Sequence, residues 1–200
     1  MMVNRRSFAA LVLGLPSLAA WAAEDVETAV RFEGLRFERR IMLAGAPLLL
    51  NGTGLRAVAW FKGFAAALYL VERSATAPQV LSMAGPKRLQ LRMLHEVPAD
   101  EFAKAFHKGV SRNAAAEEMP RLAARMAAFE ALVRSLGTVR KGDTVDLDLD
   151  PARGLLFTLN GTLRGEPLPG EDFYAALLRS FIGDRPYDQR LKSGLLGRPA

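Results

Sequence analysis

The chain has 200 residues, half of them apolar and 24% charged, with 27 basic against 21 acidic side chains and a formal net charge of +6. That length and balance describe one globular domain with room for a core, and exclude a disordered or fibrous chain. The sequence has no cysteine, which excludes disulfides, thiol catalysis, Cys-ligated zinc and iron–sulfur clusters; two histidines, His95 and His107, are too few for a His-rich metal site.

Residues 1–22 read as an export signal. Arg5 and Arg6 give a positive start, Phe8 to Trp21 is apolar, and Ala20-Trp21-Ala22 fits the small-x-small cleavage rule. The apolar stretch is shorter than the ~20 residues a membrane-spanning helix needs. Asn4-Arg5-Arg6-Ser7-Phe8 fits a twin-arginine signal, which would carry an already folded protein; an ordinary Sec signal that holds two arginines is the alternative. The expected mature domain, 23–200, loses those two arginines and keeps every acid, so its charge falls from +6 to +4. A protein of the bacterial periplasm, with no membrane span after signal removal, is the expectation.

Short strands come first. Ala29 to Phe37 and Arg39 to Leu43 are strand-like, Pro47 to Leu50 is a third piece, and Asn51-Gly52 is a turn signal. Leu55 to Glu72 is too long for one typical strand. It either runs on with a bulge at Gly63 or folds back near Trp60-Phe61-Lys62-Gly63. Pro78 to Met83 reads as a short helix, and Lys87 to Leu94 alternates so that Leu89, Leu91 and Met93 share one face.

The centre is helical. One helix follows Asp100 with Phe102, Phe106 and Val110 on its inner face, and a second opens at Pro120 with Leu122, Met126, Phe129, Val133 and Leu136, ending at Gly137. Strands return at Thr144 to Asp150, where Val145, Leu147 and Leu149 alternate with three aspartates expected to face solvent, and at Gly154 to Leu159. A turn at Asn160-Gly161 follows, then helices at Glu171 to Ile182 and Pro186 to Ser193. The two Leu-Asn-Gly-Thr segments, at Leu50 and Leu159, read as hairpin turns of one type. The order predicts an α+β domain: a large antiparallel sheet covered by helices on one side.

Standard catalytic motifs are absent: there is no nucleophile elbow, phosphate-cradling loop, dinucleotide fingerprint or His-Glu-x-x-His. Asp146-x-Asp148-x-Asp150 lacks the glycine and distal glutamate of a calcium loop. Lys and Arg are scattered among the acids with no aromatic–basic platform, so nucleic acid is not an expected partner. No cofactor or metal is implied, and no feature points to a particular oligomeric state. Arg56 stands out, because it opens an apolar run where a guanidinium either ends at solvent or in a salt bridge on a sheet edge, or meets an anion.

Leu50-Asn51-Gly52-Thr53-Gly54-Leu55-Arg56 followed by Ala65-Ala66-Ala67-Leu68-Tyr69-Leu70 resembles the opening of the chalcone isomerase fold family, in its bacterial exported, chalcone isomerase-like branch. The resemblance continues through Phe106-His107-Lys108-Gly109-Val110-Ser111-Arg112-Asn113, Lys141-Gly142-Asp143, Leu178-Arg179-Ser180-Phe181-Ile182-Gly183 and Leu195-Leu196-Gly197. It implies an open-faced β-sandwich with a ligand cleft between sheet and helices. It also implies a fold-back near Trp60 that sets Arg56 beside Phe64.

The family's enzymes cyclise a chalcone to a flavanone, and their catalytic arginine, which stabilises the developing enolate, matches Arg56. Their helix asparagine matches Asn113, and a threonine near the last helix matches Ser180. Two hydroxyl-bearing positions instead hold Phe64 and Phe106. Loss of one oxyanion donor costs roughly 10²–10³ in rate, so efficient chalcone cyclisation is not expected.

Other members of the fold are non-catalytic and bind fatty acids. The leading expectation is a cleft lined by Trp60, Phe64, Phe102, Phe106 and Phe181 that takes an apolar, amphipathic anion on Arg56, with Asn113 and Ser180 as secondary contacts. The alternatives are an intramolecular lyase acting on an enone with Arg56 as electrophile, and an envelope interaction module whose cleft is filled by side chains. The same phenylalanines also read as plain core, Asn113 as a left-handed helix cap, and Ser180 as bonding its own backbone.

Overall fold

The structure is a computed structural model that describes residues 28–58 and 61–198. The expected export signal and Trp60 lie outside the described residues. A hairpin of β1 (Ala29–Phe32) and β2 (Leu35–Glu38) comes first, and seven further strands form the main sheet. These are β3 (Arg40–Leu43), β4 (Ala46–Val58), β5 (Phe61–Leu70), β6 (Lys87–Met93), β9 (Thr144–Asp150), β10 (Gly154–Leu159) and β11 (Thr162–Leu163). They lie in the order β11-β10-β9-β6-β5-β4-β3, and every neighbouring pair is antiparallel. A two-residue pair, β7 (Val97–Pro98) with β8 (Thr138–Val139), ties the central helices at their ends.

Helices α1 (Ala77–Ser82), α2 (Ala99–Asn113), α3 (Met119–Arg134), α4 (Glu171–Ile182) and α5 (Gln189–Leu195) complete the domain. The period-two pattern of β6 and the helical stripes meet in one core. Leu89, Leu91 and Met93 are buried against Phe106 and Val110 of α2, Met126 and Phe129 of α3, and Phe173 and Leu177 of α4. The α+β sheet-and-helix architecture read from the sequence is the one observed.

Several local expectations are corrected. The strand expected over Ala29 to Phe37 is a hairpin, because Glu33 and Gly34 adopt φ of 51° and 75° and turn the chain between β1 and β2. The turn expected at Asn51-Gly52 does not form; β4 runs straight through it, and the chain reverses earlier, at Ala44 and Gly45 with φ of 48° and 76°. Only the second Leu-Asn-Gly-Thr is a turn, with Asn160 and Gly161 at φ of 53° and 76°.

The sheet's second face is not bare. Phe37 of the β1–β2 hairpin packs with Leu48, Leu50, Ala65, Ala67 and Tyr69 there. On the same face of β6 and β9, Asp146 and Asp148 are buried, contrary to the solvated role expected of them. The β6–β9 register sets Arg88 opposite Asp148 and Gln90 opposite Asp146. Arg88 then grips the Asp148 carboxylate with Nε and Nη2 at 2.6 Å each, while Gln90 donates to Asp146 at 2.8 Å. The alternation was read correctly, but the paired charges let the polar face be covered. Burial pushes the Asp148 carboxyl above its ordinary value, and the Arg88 guanidinium opposes that rise.

One irregularity decides where Arg56 points. Leu50 pairs with Tyr69 and Gly52 with Leu68, leaving Asn51 as an extra residue in β4. Before it, Leu48 and Leu50 face the β1–β2 hairpin; after it, Gly52, Gly54 and Arg56 pair with Leu68, Ala66 and Phe64 on the helix-covered face. The extra residue inverts the in–out alternation, so equally even-numbered residues end on opposite faces. Its side chain holds the bulge in place: the Asn51 amide donates to Leu195 O at 2.7 Å and Ser74 O at 3.0 Å, and accepts from Ser74 N at 2.8 Å.

Candidate ligand-binding cavity

A cavity of about 190 Å³ lies between the sheet and the helices. The sheet contributes Arg56, Gly63, Phe64 and Leu147; α2 contributes Glu101, Phe102, Ala105 and Phe106; Phe129 comes from α3, and Leu177 and Phe181 from α4. Val97 of β7, and Tyr187 in the segment between α4 and α5, close the remaining wall. The walls are aromatic and aliphatic. Phe106 stacks obliquely on Phe129 at 4.4 Å between centroids, Phe181 meets Tyr187 edge-on at 5.0 Å, and Phe64 lies 6.4 Å from Phe102.

Arg56 reaches the cavity because β4 and β5 fold back on each other. Arg56 pairs directly with Phe64, as the resemblance implied, and a second irregularity leaves Gly63 extra in β5. The Gly63 carbonyl turns to accept from Leu94 N at 3.0 Å and His95 N at 3.3 Å. Gly52 and Gly54, four and two residues earlier on the same face of β4, lie directly beneath α5. A Cβ on Gly52 would stand 2.1 Å from Gly194 O, and one on Gly54 2.7 Å from Leu191 O. Arg56 is therefore the first side chain on that face beyond the shadow of α5.

The Arg56 side chain is 29% exposed. Its Nη1 donates to Ala57 O at 3.0 Å and lies 3.4 Å from Asp188 Oδ2. Among the described residues, Nε and Nη2 make no hydrogen bond, leaving two donor groups for an incoming acceptor. Glu101 is the other charged group on the wall; its side chain is 60% exposed and pairs with Lys104 at 3.0 Å on the solvent side.

Of the residues singled out in the sequence, Arg56, Phe64, Phe102, Phe106 and Phe181 line this one cavity, while Asn113 and Ser180 do not. The Asn113 amide is committed to backbone instead. It donates to Gly109 O at 2.9 Å and Arg185 O at 2.8 Å, and accepts from Arg185 N at 2.9 Å, fastening the α4–α5 connection onto α2. Nor is it a left-handed cap, since α2 includes it and the following Ala114 is extended at φ −83°. Ser180 is fully buried, and its hydroxyl finds no partner of good geometry among the described residues. His107 is exposed and sits 2.8 Å from Glu130.

Two residues escaped the sequence reading. Tyr187 forms a wall, its hydroxyl donating to Ala105 O at 3.1 Å and its ring lying against Gly109, where a Cβ would meet the phenol oxygen at 2.5 Å. Burial pushes its phenol up to about 12. Asp188 caps α5, accepting from Arg190 N at 2.8 Å and Leu191 N at 3.2 Å through Oδ1, which leaves Oδ2 to face Arg56. The cap was legible as an aspartate ahead of a helix, had the helix been started after it rather than at Pro186. Gly109, mid-helix, was the signal for a close neighbour.

The fold is that of a known class, and the family model of chalcone isomerase-like proteins matches residues 29–197. The chain belongs to the chalcone isomerase-like family. A crystal structure of a fatty-acid binding protein from Arabidopsis thaliana is similar in fold, with a TM-score of 0.65 at 15% identity, over 84% of this chain and 95% of that one. No curated protein matches the sequence. None of the helices among the described residues is long and apolar enough to cross a membrane.

Proposed function

We propose that this protein binds an apolar small molecule with an acidic head group, fatty-acid-like in shape, inside the sheet–helix cavity. The single observation that carries the reading is an aromatic cavity of about 190 Å³ with a guanidinium at its edge and two donor groups to spare. An apolar body gains by leaving water for such walls, and a carboxylate gains a charge-assisted bond to Arg56. The likeness in fold to a protein described as binding fatty acids supports the same ligand class. Binding is preferred over cyclisation chemistry because Phe64 and Phe106 meet the cavity as bare phenyl rings, with no hydroxyl to polarise a ketone. It is preferred over a filled-cleft module because the cleft is hollow.

Calorimetric titration of the mature domain with dodecanoate tests this. Binding should be measurable, and Arg56→Ala should weaken it about ten- to a hundredfold, the worth of a charge-assisted hydrogen bond. Equal affinity in the two proteins, or no heat in either and no acid extracted from the purified protein by organic solvent, would refute it. The reading includes export to the periplasm, supported by the pattern of residues 1–22. Fractionation should place the protein in the periplasm with Ala23 as its first residue. Replacing Arg5 and Arg6 by lysine should block export if the route is twin-arginine.

A further inference from the structure

Arg56 is already partnered. In the domain as it stands, its only carboxylate neighbour among the described residues is Asp188, at 3.4 Å, and the two side chains are 29% and 18% exposed. The geometry divides the Asp188 carboxylate between two tasks. Oδ1 is committed to the first turn of α5, accepting from Arg190 N and Leu191 N, and Oδ2 is the atom turned to Arg56. The segment that leads into Asp188 is fastened from several sides. Asn113 fixes Arg185, Arg112 donates to Pro186 O, and Tyr187 N donates to Ser180 O at 2.8 Å. Nothing about capping requires an acid, since asparagine and serine cap as well. The cap itself therefore does not require the negative charge, which also faces the cavity's Arg56 through Oδ2.

We infer that Asp188 is the resident counter-ion of Arg56 and sets the head-group selectivity of the cavity. An anionic head group must approach a guanidinium that shares its charge with Asp188, and it feels that carboxylate as a like charge a few ångströms away. A neutral head group of the same shape feels neither effect. Asp188 thus narrows the preference for acids over their neutral counterparts and keeps a bound acid exchangeable. This inference rests on the ligand reading above and concerns a residue which that reading does not use.

Titration of wild-type and Asp188→Asn proteins with dodecanoate and with dodecanol separates the two. Asparagine keeps the cap and removes the charge, so affinity for dodecanoate should rise about three- to tenfold at low salt while affinity for dodecanol stays within a factor of two. The gain should shrink in high salt, because both groups touch solvent. Asp188→Ser, which caps but cannot reach Arg56, should give the same selective gain and guards against a peculiarity of the asparagine. Unchanged dodecanoate affinity in both variants, with wild-type binding still dependent on Arg56, would overturn the counter-ion role and leave the ligand reading standing. Equal gains for acid and alcohol would also overturn it, by showing a change of shape rather than of charge. Failure of wild-type protein to bind either probe would overturn both readings together.

Discussion

The Ser180 hydroxyl is fully enclosed and lacks a good partner among the described residues, a condition that costs free energy. Ser180→Ala should therefore leave stability unchanged or raise it by up to about 1 kcal/mol in urea unfolding, with dodecanoate affinity unaltered. A loss of affinity would return Ser180 to the site. Gly109 presents the opposite case. Alanine normally gains about 1 kcal/mol over glycine within a helix, but here its methyl would press on the Tyr187 ring. Gly109→Ala should lower the unfolding midpoint in the wild type and raise it in a Tyr187→Ala background. The same sign in both backgrounds would show that the ring simply swings aside.

Among the elements, α5 and β4 approach each other closely. A methyl at position 52 would sit 2.1 Å from a backbone carbonyl, which no side-chain rotation relieves. Gly52→Ala should cost at least about 2 kcal/mol in urea unfolding and weaken dodecanoate binding, since lifting α5 also moves the Tyr187 wall of the cavity. Retention of both properties would mean that α5 has other ways to seat. The motif Asn51-Gly52-Thr53-Gly54-Leu55-Arg56 was visible in the sequence, and so was its link to Arg56. Its physical content was not, because the partners of Gly52 and Asn51 lie about 140 residues away in α5. An Asn-Gly pair signals a turn locally; only the distant helix makes it a bulge under a close contact.

Across the whole molecule, the strands and helices that line the core were legible because one apolar face imposes a period, two in β6 and near 3.6 in α2, α3 and α4. Burial of the second face was not, since the Arg88–Asp148 and Gln90–Asp146 pairs join strands whose spacing in the chain says nothing of their adjacency. That buried face carries a pH signature. Burial pushes the Tyr69 phenol from 10.0 to about 12, so the folded state favours the neutral form. Its contribution is complete below pH 10 and is lost as pH rises from 10 towards 12, on the order of 2–3 kcal/mol for a shift of this size. Burial pushes the Lys87 ammonium down, which acts in the opposite sense near the same pH. The difference between wild type and Tyr69→Phe isolates the phenol: its unfolding free energy in urea should fall with pH over that window, and a flat difference would contradict the assignment.

The bulge at Asn51 has a consequence in time. Arg56 is synthesised early, yet the groups that fasten its strand and answer its charge, Leu195 and Asp188, come near the end of the chain. Until they arrive, the Asn51 bulge has its bonds to Ser74 but not the one to Leu195, and the wall provided by Tyr187 is missing. A nascent chain halted before Asp188 can pair its strands but has no enclosed cavity. The capacity to hold a ligand therefore depends on α5 settling on two glycines laid down more than a hundred residues before it.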